Sequence, residues 1–322
     1  MHVGIVGINH KSASLSMRES LSRAFQKGFQ KSEKSILLST CNRTELYFTS
    51  KSLAEGQIEI LATLREVLHD QFEHLLYSYF GPDCFHHLGR VVSGIDSVII
   101  GESDIQRQVK LAYEAARLRG ELPYDLHYLF QKALKIGKEI RTTFLQKSYG
   151  VSLPSAIESL FIECRIEPSE QILFVGNSSI NRTLMRFLKE RGWDEMALCT
   201  RMKSGEYPLK RVIHWDLPIE WSAYRVIICA TDHDSYLLKE GERVGKSPLL
   251  IDLSMPRNID PSLAHVPGVK LYNIDQIGAI STQKKGGKEI SLCETIVEKK
   301  AQKYMQLFEE RKKAKWRYAA VL

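Results

Sequence analysis

Cys41 lies two residues before Arg43 and just after an apolar run, Ser35 to Leu38. A thiol beside a guanidinium ionises more readily, and the thiolate is the nucleophilic form. The position equally suits a cysteine that is merely buried at a strand end, since free cysteine is among the most buried residue types. His10, His86 and His87 are candidate bases, though a lone histidine is more often structural. A second chemical feature is Gly176-Asn177-Ser178-Ser179-Ile180-Asn181, directly after the apolar segment Gln171 to Val175. A dinucleotide loop in this place reads G-x-G-x-x-G, so only the first glycine is kept. Ser178 puts a side chain where backbone should approach a pyrophosphate, and Asn181 puts bulk where helix and strand should pack closely. A helix N-terminus remains, with Ser and Asn side chains suited to capping it or to donating to an anion. The next strand ends in Thr200-Arg201 instead of an acidic residue that would hold a ribose 2′-hydroxyl. An arginine there suits a 2′-phosphate, which leans toward NADP(H), or is an ordinary exposed side chain.

These groups need elements to hold them. Val3 to Ile8 reads as a short buried strand, and Ser35 to Leu38 and Leu46 to Phe48 as extended segments. Helical spacing runs over Leu53 to His69, Ile105 to Arg119 and Leu129 to Phe144. In the second of these, Ile105, Val109, Ala112 and Ala116 share one face. This part is an α/β or α+β domain ending near Thr143. A weak boundary at Glu167-Pro168-Ser169 precedes a change of pattern. Strands are predicted at Gln171 to Val175, Met196 to Cys199, Arg225 to Cys229, Leu249 to Leu253 and Val269 to Tyr272, with a helix at Asn181 to Arg191. Apolar strands alternating with helices indicate a parallel, doubly wound sheet. After Gly286-Gly287, positions 297, 301, 304 and 308 form a 4-3-4 seam, as in a helix packed on another helix. The expected domains are 1–143, 144–285 and 286–322.

The chain has 322 residues, 43% of them hydrophobic and 26% charged, which predicts two or three globular domains and excludes disorder as the dominant state. No apolar run approaches the roughly 20 residues of a membrane helix. The N-terminus has no basic segment before an apolar core, so it does not read as a signal peptide. Six cysteines are widely spread with no C-x-x-C, which argues against zinc, a metal site of any kind or a disulfide framework, and fits a reducing cytoplasm. Net charge is +7, compatible with a nucleic-acid partner. Residues 291–322 carry eight Lys/Arg and four Asp/Glu, or +4, which reads as nucleic-acid phosphate contact or as a solvated helix face.

Longer blocks carry a specific resemblance. They are Gly7-Ile-Asn-His10-Lys11, Leu38-Ser-Thr-Cys41-Asn-Arg43-Thr-Glu45-Leu-Tyr47, His87 through Glu102, Ile105 through Lys110, Gly137-Lys138, Arg141-Thr142, Ile251 through Pro261, and Leu271-Tyr272. In this order they resemble the glutamyl-tRNA reductase family over nearly the whole chain. The resemblance implies a catalytic domain at 1–143, a Rossmann-like NADPH domain at 144–285, and a spinal helix leading to a dimerisation region at 286–322, here shortened. It implies that a Cys41 thiolate attacks the α-carbonyl of glutamyl-tRNA(Glu), that tRNA leaves a thioester behind, and that NADPH reduces this to glutamate-1-semialdehyde. That reaction is the first step of tetrapyrrole (porphyrin) biosynthesis from glutamate.

The residue roles follow from the same resemblance. Cys41 stands at the nucleophile position and His87 at the activity-linked histidine, to polarise the carbonyl or pass a proton to the leaving ribose oxygen. Thr40, Asn42 and Arg43 read as a substrate loop, with Arg43 in a bidentate grip on the glutamate carboxylate. Ser97, Glu102 and Gln108 align with substrate-contacting positions, Glu102 being suited to the substrate ammonium. Gly176 to Asn181, Thr200 and Arg201 form the expected cofactor site. The family usually continues Gly-Glu with Pro-Gln, where this chain has Ser103-Asp104. The expected partners are a second copy paired through the 297–308 seam and an aminomutase that takes the reactive semialdehyde. Cys41 and the cofactor segment lie far apart in sequence, so a hinge motion is expected. One competing reading is a redox-impaired homologue, either a tRNA-binding protein or an esterase of glutamyl-tRNA. Another is a dehydrogenase of a small keto acid, against which the Cys41 block argues.

Overall fold

The computed structural model describes residues 1–97, 104–145, 153–201, 209, 211–242, 244, 247–282 and 287–319. Two compact units emerge, one made of residues 1–150 with 285–322 and the other of residues 151–284.

The first unit opens with β1 (Val3–Asn9), α1 (Leu15–Phe29), β2 (Ser35–Ser39), β3 (Arg43–Thr49), α2 (Leu53–Arg65) and β4 (Tyr77–Phe80). The four strands form an antiparallel sheet in the order β2-β3-β1-β4. Every residue of β1 is buried, because the sheet is covered on both faces. Val3, Ile5, Ile36, Leu38 and Tyr47 point into one core, and Val6, Ile8, Leu46 and Phe48 into the other, as the period of two along a strand requires. Helices α1 and α2 cover the second face. The first face is covered by α3 (Gly81–Ser93), α4 (Asp104–Arg119) and α5 (Tyr124–Ile140). On α4, Ile105, Val109 and Ala116 are buried as their spacing predicts, with Ala112 packed at the edge. The sequence reading missed α1, β4 and α3.

The second unit holds α6 (Leu153–Glu163), β5 (Ile172–Val175), α7 (Ser179–Lys189), β6 (Met196–Thr200), β7 (Arg211–His214), β8 (Val226–Cys229), β9 (Leu249–Asp252), β10 (Lys270–Asn273) and α8 (Ile274–Thr282). Its six strands are all parallel, in the order β10-β9-β8-β5-β6-β7. The mixed α/β class and the doubly wound parallel sheet are as expected. Strand order reverses beside β5, which pairs with β6 on one side and β8 on the other. The crevice at the carboxyl ends of β5 and β8 is therefore the switch point where such sheets take ligands.

The chain then returns to the first unit as α9 (Gly287–Ala319). Cys293, Val297, Ala301 and Phe308 are buried in the same core as Phe85, Leu88 and Tyr128. Phe308 meets Tyr128 edge-on at 5.1 Å between ring centroids, and the Tyr128 hydroxyl donates to the Tyr304 carbonyl at 2.9 Å. Lys300 pairs with Glu139 at 2.7 Å and Glu294 with Arg90 at 3.1 Å. The seam at 297, 301, 304 and 308 is thus covered by α3 and α5 of its own chain. This corrects the expectation that it pairs with a second copy: the apolar stripe is real, but its partner is intramolecular.

Candidate active site

Cys41 sits at the tip of the β2–β3 hairpin, whose connection is Thr40-Cys41-Asn42. Thr40 closes the turn. Its N–H donates to the Arg43 carbonyl at 2.9 Å, and its Oγ1 accepts from the N–H groups of Asn42 and Arg43 at 3.2 Å. The fully buried Arg18 of α1 donates from Nη1 to the Cys41 carbonyl at 2.8 Å, and His10 N–H donates to the Asn42 carbonyl at 3.0 Å. The loop backbone is therefore fixed from two sides, while Cys41 itself is half-buried and in no disulfide.

The strand that leaves this loop carries a row of polar groups. Arg43, Glu45 and Tyr47 share one face of β3 by the period of two. Arg43 Nη1 donates to Glu45 Oε1 at 2.9 Å, and the Tyr47 hydroxyl donates to Glu45 Oε2 at 2.7 Å. Tyr77 of β4 donates to Oε1 at 2.6 Å, and His87 Nε2 of α3 lies 2.8 Å from the same oxygen. Gly7 faces Glu45 and Tyr77 across the sheet; a Cβ there would come within 2.8 Å of Glu45 Cγ. The missing side chain is what makes room for the carboxylate. Arg43 Nη2 donates to the Asp96 carbonyl and, at 3.0 Å, to Asp96 Oδ2. Asp96 also pairs with Lys11 at 2.5 Å.

Burial pushes the Glu45 carboxyl up, but Arg43 and the bonds from His87 and Tyr47 outweigh it and hold the group well below the usual carboxylate range. Asp96 is likewise held low, burial being offset by Arg43 and Lys11. His10 is pushed down to about 4, by burial and then by Arg43 and Lys11, so its imidazole is neutral at physiological pH. Three buried polar atoms here have no hydrogen-bond partner among the described residues: His10 Nδ1, Asn42 Oδ1 and Ser97 Oγ.

Arg43 is 1% exposed and both of its terminal nitrogens are engaged by Glu45 and Asp96, so in this structure it forms a buried cross-link. Thr40 is a turn-forming residue. Asp104 and Gln108 meet each other on the first turn of α4, Gln108 Nε2 donating to Asp104 Oδ2 at 2.9 Å. Arg107 also donates to Asp104, at 2.8 Å. Glu102 and Ser103 lie outside the described residues. His86 is half-buried beside Arg90 and Glu298, apart from the polar row.

In the second unit, Gly176 has φ +96°, and a Cβ on it would stand 2.5 Å from the Ala230 carbonyl. Ser178 is the N-cap of α7, its Oγ accepting from Asn181 N–H at 3.2 Å. Asn181 is fully buried, and its amide donates to the carbonyls of Val175 at 3.0 Å and Gly176 at 2.8 Å. Ser178 thus caps α7 as its residue type suits it to do, and both side chains build the turn. Ser179 and Ile180 begin α7. Thr200 is buried at the end of β6, and Arg201 pairs with the exposed Asp232 at 2.6 Å, its guanidinium 5.4 Å from the Trp215 ring centroid.

Residues 6–144 match the family profile described as glutamyl-tRNAGlu reductase, N-terminal domain, and residues 165–280 match shikimate / quinate 5-dehydrogenase. A glutamyl-tRNA reductase of Chlamydia pneumoniae is 37% identical over 63% of this chain and 61% of its own length. That of Chlamydia muridarum is 30% identical over 79% of this chain and 78% of its own. The chain belongs to the glutamyl-tRNA reductase family. The fold of the solved Methanopyrus kandleri glutamyl-tRNA reductase covers 98% of this chain and 82% of that one, with a TM-score of 0.52 at 24% identity. The match spans less than two thirds of the C. pneumoniae relative.

Within this family frame, several site-building residues escaped the sequence reading. Glu45 stood inside a quoted block, and its spacing of two from Arg43 was the available signal. Tyr77 and Tyr79 lie on a strand that was not predicted. In the second unit, Asp252 accepts from the N–H groups of Ser254, Asn258 and Ile259 at 2.8–3.0 Å, while Thr231 bonds Ser254 and Asn258. These bonds tie the loops after β8 and β9 into one wall of the crevice. Burial is the main cause that raises the Asp252 carboxyl to about 6. Among the described residues no helix is long and apolar enough to cross a membrane.

Proposed function

We propose that this chain catalyses the NADPH-dependent reduction of glutamyl-tRNA(Glu) to glutamate-1-semialdehyde, through a thioester on Cys41. The observation that carries it is the pinned hairpin tip: a half-buried thiol on a turn flanked by Asn42, by His10 that bonds to Asn42, and by Ser97 next to the Arg43-bound Asp96, three residues with buried polar atoms that lack partners among the described residues. Asn42 Oδ1 suits the substrate ammonium, while Ser97 Oγ and His10 Nδ1 suit its other polar groups. The Cys41 sulfur attacks the ester carbonyl, the C–S bond forms and the C–O bond to ribose breaks, and the departing ribose oxygen takes a proton. His87 is the group at the polar row suited to move that proton.

The residues of the crevice fit a pyridine nucleotide. Gly176, at φ +96°, lets the turn pass directly against the Ala230 carbonyl, α7 presents its N-terminus, and Ser178 already caps one N–H. Gly176 through Asn181 would hold the pyrophosphate end, and Arg201 the 2′-phosphate, with Asp232 giving way. When bound, NADPH would supply the hydride that converts the thioester to the aldehyde. Cys41 and the crevice belong to different units, and hydride transfer needs the thioester carbon and the nicotinamide in contact. A homodimer would need a face other than the 297–308 seam. An aminomutase that receives the aldehyde directly would suit the product's reactivity. We place the reaction in the cytoplasm, where charged tRNA and reduced thiols are available.

Single turnover with charged glutamyl-tRNA, with and without NADPH, tests this reading, with semialdehyde and free glutamate followed separately. Semialdehyde only with NADPH, abolished by Cys41→Ala, is expected. Free glutamate in both samples would replace the reductase with an esterase, and neither product would refute the reading.

A further inference from the structure

Glu45 is a fully buried carboxylate that no role above requires, and it is over-supplied with donors. Arg43 Nη1 and the Tyr77 hydroxyl already donate to its Oε1, at 2.9 and 2.6 Å, and the Tyr47 hydroxyl donates to Oε2. His87 Nε2 stands 2.8 Å from Oε1. A carboxylate fixed by a guanidinium and two phenols can only accept. A bare imidazole lone pair facing it at 2.8 Å would repel it, so a proton must lie between them, on Nε2. The ring plane is fixed as well. Tyr79 stacks on His87 with centroids 4.9 Å apart and 27° between planes, and Tyr77 lies at 5.4 Å.

We propose that Glu45 is the positioning residue of the site: it holds His87 as the Nε2–H tautomer and leaves Nδ1 as the one ring nitrogen able to meet substrate. Resting on the reductase reading, this settles how His87 works. In the Nε2–H tautomer the ring has a lone pair at Nδ1 and nothing there to donate. It therefore enters as a base, taking at Nδ1 the proton displaced as the Cys41 sulfur bonds to the carbonyl. It becomes an acid only afterwards, returning that proton to the ribose oxygen as the C–O bond breaks. The anionic Glu45 favours the imidazolium that exists between these two transfers. Its role parallels the carboxylate that orients the histidine of a serine protease, on an unrelated fold. The carboxylate–histidine pair here is assembled from β3 and α3, with Gly7 of β1 providing the space.

The test is 15N NMR of the full chain labelled in its ten histidines, with the His87 signal assigned by its loss in His87→Gln. On the alkaline side of the His87 titration the expected signature is a protonated Nε2 and an unprotonated Nδ1. A protonated Nδ1 with bare Nε2, or shifts averaged as in free imidazole, would overturn the proposal with no need for a folded variant. In Glu45→Gln the side chain can present either an oxygen or an amide N–H to Nε2, so the fixed tautomer should give way to averaged shifts. Tyr77→Phe removes a different donor from the same oxygen, and the tautomer should persist. Single-turnover thioester formation in Glu45→Gln should slow on the order of 10²-fold, the scale of general acid–base catalysis, with charged-tRNA binding unchanged. A variant that keeps the wild-type rate would also overturn the proposal. If wild type forms no thioester, the reductase reading fails, while the NMR signature still reports separately on the Glu45–His87 pair.

Discussion

Arg43→Lys separates the two roles open to this side chain. As a substrate fork, Arg43 would bind the glutamate carboxylate, and its loss would raise KM while leaving the fold alone. As found, it bridges two buried carboxylates through separate nitrogens, Nη1 to Glu45 and Nη2 to Asp96. A lysine keeps the charge but is a single point donor on a flexible stem and cannot span both. It would serve one carboxylate and abandon the other. Asp96 retains Lys11 at 2.5 Å and Arg90 at 3.7 Å, so it tolerates the loss better than Glu45, whose remaining donors are two hydroxyls and an imidazole. One charge-assisted bond is then missing, worth about 1.5–3 kcal/mol. Hydrogen exchange read by mass spectrometry on peptides from β3 should accordingly quicken roughly 10- to 150-fold, through an opening free energy lowered by that amount. Peptides from β5 and β8 in the other unit serve as the internal control and should not change. Unaltered exchange in β3, together with a raised KM, would show that the guanidinium is held for substrate and that the ion pairs contribute nothing to the fold.

The two units should respond oppositely to acid. In the first, His10 is lowered to about 4 and Glu45 and Asp96 are held below their usual range, so the unfolded chain binds more protons and stability falls as pH drops from about 6.5 through 4 and below. In the second, Asp252 is raised to about 6, so the folded state binds the extra proton and stability falls as pH rises from about 4 to 6. Exchange protection of β3 and β9 peptides, corrected for intrinsic rates, should show slopes of opposite sign, and equal signs would contradict the assignment. Gly176→Ala adds a Cβ 2.5 Å from a carbonyl at φ +96°, which costs about 1–2 kcal/mol for the left-handed backbone before the clash is counted. It should abolish NADPH binding by fluorescence titration while β3 exchange stays unchanged, and normal binding would remove the crevice from the reading.

Where the sequence was legible, the information was local. The apolar runs at Val3–Ile8 and Ile172–Val175 are buried on both faces, and nothing but a covered strand accommodates such a run. The helix α3 escaped because it starts at Gly81-Pro82 and carries Gly89, residues that read as turn punctuation. A glycine count made the nucleotide loop look degraded, yet Asn181 replaces the lost close packing with two bonds to the carbonyls of the turn itself. Such an exchange of sterics for hydrogen bonds is invisible until the atoms are placed.

The same limit explains the seam and the site. Residues 297, 301, 304 and 308 specify that α9 packs on apolar surface, but a stripe cannot name its partner, and here the partner is α3 and α5. Arg43 reads as a substrate cation because one of its two anions, Asp96, lies 53 residues away in sequence. Its other anion, Glu45, was two residues away, and period-two spacing along a strand places both on one face. That pairing ties the roles together: the arginine neutralises the carboxylate, the carboxylate orients the histidine, and the thiol is carried on the turn that the same strand leaves. A substitution anywhere along Arg43–Glu45–His87 should therefore move stability and proton transfer together.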